Sequence, residues 1–240
     1  LDTSHAPILH RALKPNPAHP GIPMSGPFVK GEAPKLEVEP TDYGYRYFGI
    51  RKLGDDQQYV RGYHFVMPWT QLRPGGPNRD TRISGHYWVP IDDYRCLVWN
   101  FYYDYEQPID PNLIDAQDTG NTFGVDVDVK NGFRSIRNRS NDWMIDRAVQ
   151  KTDTFSGILG VNTQDRALQE LMGPMVDRSR EQLGPADRAI IVVRQLLAKA
   201  IETVAGGGDA PGTQRSLSDL RAADVKLPID GNWHENLVPR

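Results

Sequence analysis

Between Lys35 and Tyr105 the chain repeats one pattern five times, a run of β-branched and aromatic residues closed by turn formers. The runs are Leu36 to Val38, Tyr43 to Leu53, Tyr59 to Thr70, Thr81 to Ile91 and Arg95 to Tyr105. Such side chains pack well on a pleated surface and favour strands. Gly54-Asp55-Asp56, Pro74-Gly75-Gly76-Pro77 and Asp92-Asp93 separate the runs by lengths suited to hairpins. Successive antiparallel strands are therefore expected. The longest helical period comes much later, where Ile190, Val193, Leu197, Ala200 and Val204 recur after Pro185 and stop at Gly206-Gly207-Gly208. One curved sheet followed by one long amphipathic helix makes an α+β unit, with the helix over the concave face and a cavity between them.

The remaining stretches are less regular. Eight prolines between Pro7 and Pro40 remove amide donors and predict an extended connector. Gln107 to Ser140 is rich in Asp, Asn and Gly and reads as loop. Short helices are expected over Asp142 to Lys151 and Asn162 to Met172, the second closed by Gly173-Pro174. The tail from Asp209 to Arg240 is polar, with Trp233 near its end, and is expected to wrap the domain.

Composition narrows the function classes. With 28 Lys and Arg against 31 Asp and Glu, the formal charge of −3 offers no field suited to nucleic acid. The single cysteine, Cys96, rules out an internal disulfide framework and suits a reducing compartment. There is no apolar run of about 18 residues, so no membrane span is expected and the localisation expected is cytoplasmic. At 240 residues one large domain is the expectation. The first residue is Leu, and polar, potentially catalytic residues follow at once, so an upstream portion is expected.

Those residues are Asp2-Thr3-Ser4-His5-Ala6-Pro7-Ile8-Leu9-His10, which place two of the chain's six histidines and a carboxylate within nine positions. Two neutral imidazoles and one carboxylate can occupy one face of an octahedral Fe(II) and leave the other face open. Residues five apart on an ideal helix point about 140° apart, so convergence of His5 and His10 requires a bent or single-turn geometry, which Pro7 permits. Taken alone, the spacing also suits two ordinary polar histidines.

The segment Asp-x2-His-x4-His resembles the iron-binding motif of the Rieske non-haem iron aromatic-ring-hydroxylating oxygenase α subunits. A second stretch agrees with it. Asp146-Arg147-x2-Gln150-Lys151-x3-Phe155-Ser156-Gly157-Ile158, continuing through Asn162-Thr163-Gln164-Asp165-Arg166-Ala167-Leu168-Gln169-Glu170-Leu171-Met172-Gly173-Pro174 to Asp177-Arg178-Ser179, is similar to the C-terminal half of the phthalate dioxygenase branch. The resemblance implies a helix-grip (START/Bet v 1-like) catalytic domain spanning 1–240, with 1–40 as iron-ligand segment and connector and 209–240 as tail. It implies Fe(II) held by His5, His10 and Asp165. Physically, Asp165 is expected in the first turn of its helix, where a carboxylate is favoured even without metal. Asp2 matches the position that links the iron, through a ligand histidine, to the Rieske cluster of a neighbouring subunit. Its bland alternative is a helix N-cap.

A Rieske [2Fe–2S] cluster needs two Cys and two His, and this chain has only Cys96, so the cluster is expected in a missing N-terminal domain. The implied partners are an aromatic substrate, dioxygen, a reductase (directly or through a ferredoxin) and two further copies in a cyclic homotrimer. Pro7 to Pro40 and Gln107 to Ser140 are the candidate contact surfaces. For the substrate, strand alternation puts Arg46 with Phe48 and Ile50, a guanidinium expected toward the cavity and able to bind a carboxylate in bidentate fashion. Asn100, between Trp99 and Phe101, is expected as a buried amide orienting substrate. Phe155 and Ile158 are expected near the iron. Each of the four has a structural alternative: surface ion pair, backbone pairing or core packing. His64 and His86 are expected to be satisfied structural histidines. The function implied is a terminal oxygenase that hydroxylates, or O-demethylates, an aromatic acid. A non-catalytic carrier of hydrophobic ligands and a Zn(II) hydrolase remain open, discriminated by iron content and by dioxygen-dependent product formation.

Overall fold

The computed structural model describes residues 1–14, 33–75, 81–111, 127–214 and 216–237. The Pro-rich connector over 15–32 and the loop over 112–126 lie outside the described residues. In chain order the strands are β1 (Lys35–Thr41), β2 (Gly44–Leu53), β3 (Gln57–Val66), β4 (Thr70–Pro74), β5 (Arg82–Asp92), β6 (Arg95–Asp104), β7 (Val127–Asp128), β8 (Arg134–Ser135) and β9 (Asp224–Pro228). The α-helices are α1 (Ala6–Leu9), α2 (Arg147–Thr152), α3 (Val161–Leu171), α4 (Arg188–Ala205) and α5 (Trp233–Asn236). The chain passes between two compact units: Leu1–Ser4, Gly31–Ile109 and Gln182–Arg240 in one, His5–Lys30 and Asp110–Glu181 in the other.

The first unit is the α+β helix-grip arrangement: an antiparallel sheet in the order β1-β2-β3-β4-β5-β6, with β9 added on β3 and α4 packed on one face. The period-2 alternation sorts its side chains. Leu36 from β1, Tyr45 and Tyr47 from β2, and Tyr63 and Phe65 from β3 meet Ala189, Val193 and Ala200 of α4. Tyr47 and Tyr63 stack with ring centroids 4.6 Å apart, and the Tyr45 hydroxyl donates to the Ala189 carbonyl at 3.0 Å. The buried stripe of α4 includes Ala189, Val192, Val193, Leu196, Leu197 and Ala200, so it is turned slightly from the expected one, and Val204 is exposed. The small residues Ala189 and Ala200 at the contact fix that rotation, because they let the helix backbone approach the tyrosines closely.

On the opposite face Phe48 and Val60 pack on Trp233 and Leu237, and Tyr43, Val66, Leu72 and Ile83 pack on Leu220 and Ala222. The tail packs on this face of the first unit's sheet, and it contributes β9 and α5. The run Tyr59 to Thr70, expected as one strand, is two. β3 ends at Val66, a turn through the cis Met67–Pro68 peptide follows, and β4 begins at Thr70. Pro68 has no amide to give to a ladder. β3 pairs with β2 on one edge. Its other edge is divided, His64 to Val66 pairing with β4 and Gln57 to Arg61 with β9.

In the second unit the expected helix over Asp142 to Lys151 is a 3-10 stretch, Arg139–Met144, followed by α2. The break comes from Asp146, whose carboxylate accepts from the Ala148 and Val149 amides and so starts α2 afresh. The residues after α1 pair with the approach to α3. Leu13 N–H donates to the Asp153 carbonyl at 2.7 Å and Phe155 N–H to the Arg11 carbonyl at 2.9 Å. Gly157, at φ +68°, turns this approach toward α3, and a Cβ there would stand 2.5 Å from the Asp146 carbonyl. On the far side α3 is fastened by Trp143 Nε1 donating to Glu170 at 2.8 Å and Arg166 to the Arg137 carbonyl at 2.9 Å.

Candidate metal centre

Helix α1 is a single turn with His5 as its N-cap and His10 as its C-cap, and Pro7 within its first residues. That is the geometry the His5/His10 spacing requires. Both imidazoles turn their Nε2 atoms inward, 3.3 Å apart. Asp165 Oδ1, from α3, stands 3.2 Å from His5 Nε2 and 3.1 Å from His10 Nε2. Among the described residues, these three form the one group of His, Cys, Asp or Glu side chains close enough to hold a metal ion. Ligands about 2.1 Å from one ion stand ~3.0 Å apart at octahedral angles and ~3.4 Å apart at tetrahedral ones. The triangle therefore fits a single first-row ion.

Asp165 is not in the first turn of its helix, contrary to expectation. Helix α3 begins at Val161 with Gly160 as N-cap, and no acidic residue stands in the first turn. The capping explanation of this carboxylate therefore fails. Burial by itself would raise the Asp165 carboxyl, but with no metal bound the His10 and His5 imidazoles beside it, when protonated on Nε2, outweigh burial and hold the group far below the usual carboxylate range.

His10 is held more firmly than His5. Its Nδ1 lies 2.7 Å from Gln164 Oε1, and Gln164 Nε2 donates to the Ile158 carbonyl at 2.8 Å. The second bond fixes which end of the amide faces the ring. His10 then carries a proton on Nδ1, and the neutral ring that a metal requires is the tautomer with its lone pair on Nε2. The His10 side chain is 2% exposed, whereas those of His5 and Asp165 are 35% and 31% exposed, so the triangle is closed on one side and open on the other. An open side is what a catalytic ion needs. Gln164 was not singled out from sequence, although it stands inside the stretch that carries the resemblance.

The other expected site residues each have their own surroundings. Asp2 Oδ1 accepts from the Ser4 amide and hydroxyl, both at 2.6 Å, and so fixes a turn before α1 without capping it. Ile158 contributes its carbonyl to the Gln164 clamp, and Phe155 is exposed, with the Arg11 guanidinium 5.7 Å from its ring centroid. Arg46 does share a face with Phe48, but it is the face turned away from α4, and its Nε donates to Glu39. The expectation that it points into the space under α4 is corrected: even-numbered positions of β2 face the tail. Asn100 lies on the α4 side of the sheet, through its pairing with His86 and that of His86 with Gln71, but it is exposed because β6 ends the sheet order. His64 is a satisfied structural histidine. Its Nε2–H donates to the Arg221 carbonyl at 3.0 Å and its Nδ1 accepts from the Tyr43 hydroxyl at 2.6 Å. His86 is buried beside Trp88 and is not a member of the metal-sized group.

A helix-gripped antiparallel sheet joined in one chain to a two-histidine, one-carboxylate triangle defines a class of candidate metalloprotein. The chain belongs to the family described as LigXa C-terminal domain like, whose model matches residues 27–234. It is 33% identical over 216 residues to the phthalate 4,5-dioxygenase oxygenase subunit of Pseudomonas putida, a match covering 85% of this chain and 46% of that relative. It is 29% identical over 222 residues to the 3-chlorobenzoate-3,4-dioxygenase oxygenase subunit of Comamonas testosteroni, covering 88% and 51%. These matches bear out the resemblance to the catalytic domain of Rieske oxygenase α subunits. The chain spans about half the length of the curated relatives it matches. No helix among the described residues is long and apolar enough to cross a membrane.

Proposed function

We propose that this chain supplies the mononuclear non-haem iron site of a terminal oxygenase acting on an aromatic, carboxylated substrate. The observation that carries the reading is the convergence of His5 Nε2, His10 Nε2 and Asp165 Oδ1 within 3.1 to 3.3 Å of one another. When bound, Fe(II) would supply dioxygen activation with electrons delivered from outside the chain. The residues here hold and orient. Asp165 brings the negative charge that favours a dication, Gln164 keeps His10 in the tautomer that leaves Nε2 free, and the exposed sides of His5 and Asp165 leave room for dioxygen and substrate. Phe155 and Ile158, on the approach to α3, are proposed as substrate contacts.

The same triangle suits zinc in a hydrolase, but both relatives are dioxygenase subunits, which favours iron. A carrier of hydrophobic ligands would give the buried His10 and its clamp no purpose. Phthalate and 3-chlorobenzoate, the compounds in the relatives' names, are both benzene carboxylates, and they point this chain to an aromatic acid. The reaction proposed is hydroxylation, or O-demethylation, of that acid. The further proposals follow from the family: a [2Fe–2S] Rieske domain outside these 240 residues, a reductase as donor, a homotrimer, and Asp2 as the link from the iron to a neighbouring subunit's cluster.

Anaerobically reconstituted protein is expected to bind about one Fe(II) per chain, and His5→Ala or Asp165→Ala to lose it. Stoichiometric iron in either variant rejects the site. Asp2→Asn in the enzyme supplied with its reductase should keep its iron while product formation slows severely. Normal turnover there would reduce Asp2 to the residue that shapes the turn at Ser4.

A further inference from the structure

Three arginines stand on neighbouring strands of the α4 face: Arg61 on β3, Arg73 on β4 and Arg82 on β5. The register puts them there. Arg61 is opposite Gly49 on β2 and Asp224 on β9, and Arg73 is opposite Ser84, which is opposite Tyr102. Arg73 alternates with Gln71, whose side-chain amide donates to the Tyr47 hydroxyl on the same face.

Their partners are unequal. Arg61 Nη2 donates to the Pro74 carbonyl at 2.6 Å, and its Nε lies 3.9 Å from Asp224, which also accepts from the Tyr59 hydroxyl. Arg73 is different. Its Nε is buried without a hydrogen-bond partner, and no ion pair to it occurs among the described residues. Burial lowers the Arg73 guanidinium from its ordinary pKa, and the charge of Arg61 lowers it further. Arg82 likewise has a buried Nε without a hydrogen-bond partner and lies over the Tyr102 ring, 5.8 Å from its centroid.

A guanidinium stays charged at any pH a protein survives. Arg73 is half-buried with its Nε out of water, and withdrawing part of the guanidinium from solvent without a counter-charge has a cost that an entering anion recovers. The surroundings say which anion. Tyr47, Tyr63 and Tyr102 stand near Arg73 on the same face of the sheet, and a guanidinium fork matches a planar carboxylate. We propose that Arg73, flanked by Arg61, binds the carboxylate of an aromatic acid on the α4 face of the sheet. This takes its substrate class from the function proposed above, and it replaces Arg46, whose guanidinium is committed to Glu39.

The test uses the metal-free 240-residue chain, so it succeeds or fails independently of the iron assignment. Benzoate is titrated against its neutral isostere benzamide by calorimetry. Wild-type protein should prefer benzoate, and Arg73→Gln should weaken benzoate binding by about 10- to 100-fold and abolish the preference, as expected for loss of a charged hydrogen-bonding partner. Arg73→Lys should retain part of the preference, since it keeps the charge without the fork. The melting temperature of Arg73→Gln should equal or exceed that of wild type, because a half-buried charge without a counter-ion has been removed. Equal binding of benzoate and benzamide by wild type, or undiminished benzoate binding by Arg73→Gln, overturns the proposal. So does a large fall in melting temperature in both variants, which would mark Arg73 as a structural cation.

Discussion

Gln164 decides which nitrogen His10 can offer to a metal, because its amide is oriented by the Ile158 carbonyl before it reaches the ring. Gln164→Leu keeps the side-chain volume and removes that control. Metal affinity should then fall about 10- to 100-fold with the fold intact, measured by Co(II) or Fe(II) titration beside circular dichroism. Unchanged affinity would mean that α1 alone aligns the ring. His64 supports a separate prediction. Burial pushes its pKa down to about 4 from the ordinary 6.5, so between those values the unfolded chain takes up a proton that the folded chain refuses. Stability should be full above pH 6.5, decline by up to about 3 kcal/mol as pH falls toward 4, and change no further through this residue below that. His64→Gln should flatten the decline, as followed by urea melts across that range. The three side chains that converge, His5, His10 and Asp165, were legible in the sequence, because the two histidines are close in the chain and the flanks of Asp165 carried the resemblance. Gln164 and Arg73 were not. Their significance lies in what stands beside them in space, a ring 154 residues away in one case and a missing counter-charge in the other.

Elements whose side chains alternate against a core announced themselves. The hairpin of β5 and β6 was expected nearly to its ends, and α4 was placed by its period and its glycines. Gly85 shows how closely that hairpin is built. The Phe101 ring lies across it, and a Cβ there would come 2.1 Å from Phe101 Cζ and 2.7 Å from the Gln71 carbonyl. Gly85→Ala should therefore displace the ring from its stack on Tyr87 and cost about 1 to 3 kcal/mol, read from the denaturation midpoint. A wild-type midpoint would show that the ring can move aside freely. What hid from sequence reading was the short and the local. β9 is five residues in a polar tail, and its strand character comes from the open edge of β3 that receives it. The 3-10 stretch before α2 owes its break to one capping carboxylate.

For the first unit as a whole, the tail is part of the core. Trp233 and Leu237 cover Phe48 and Val60, and Asp224 is the acid beside Arg61 and Tyr59. Ending the chain after Ala223 should expose that apolar face and leave Arg61 without its acid. Strong dye binding and loss of a cooperative melt are expected, and a wild-type melt would show that β9 and α5 are dispensable. The divided edge of β3 also has a meaning in time. The ribosome makes β1 to β6, then the long second-unit segment Asp110–Glu181, and β9 only long afterwards. Until then the nascent sheet carries half an edge of unpaired amides and carbonyls at its middle strand, a template for any passing strand. The unit cannot close while it is being translated through the intervening segment, so during synthesis it depends on chaperones or on speed to keep that edge for its own tail.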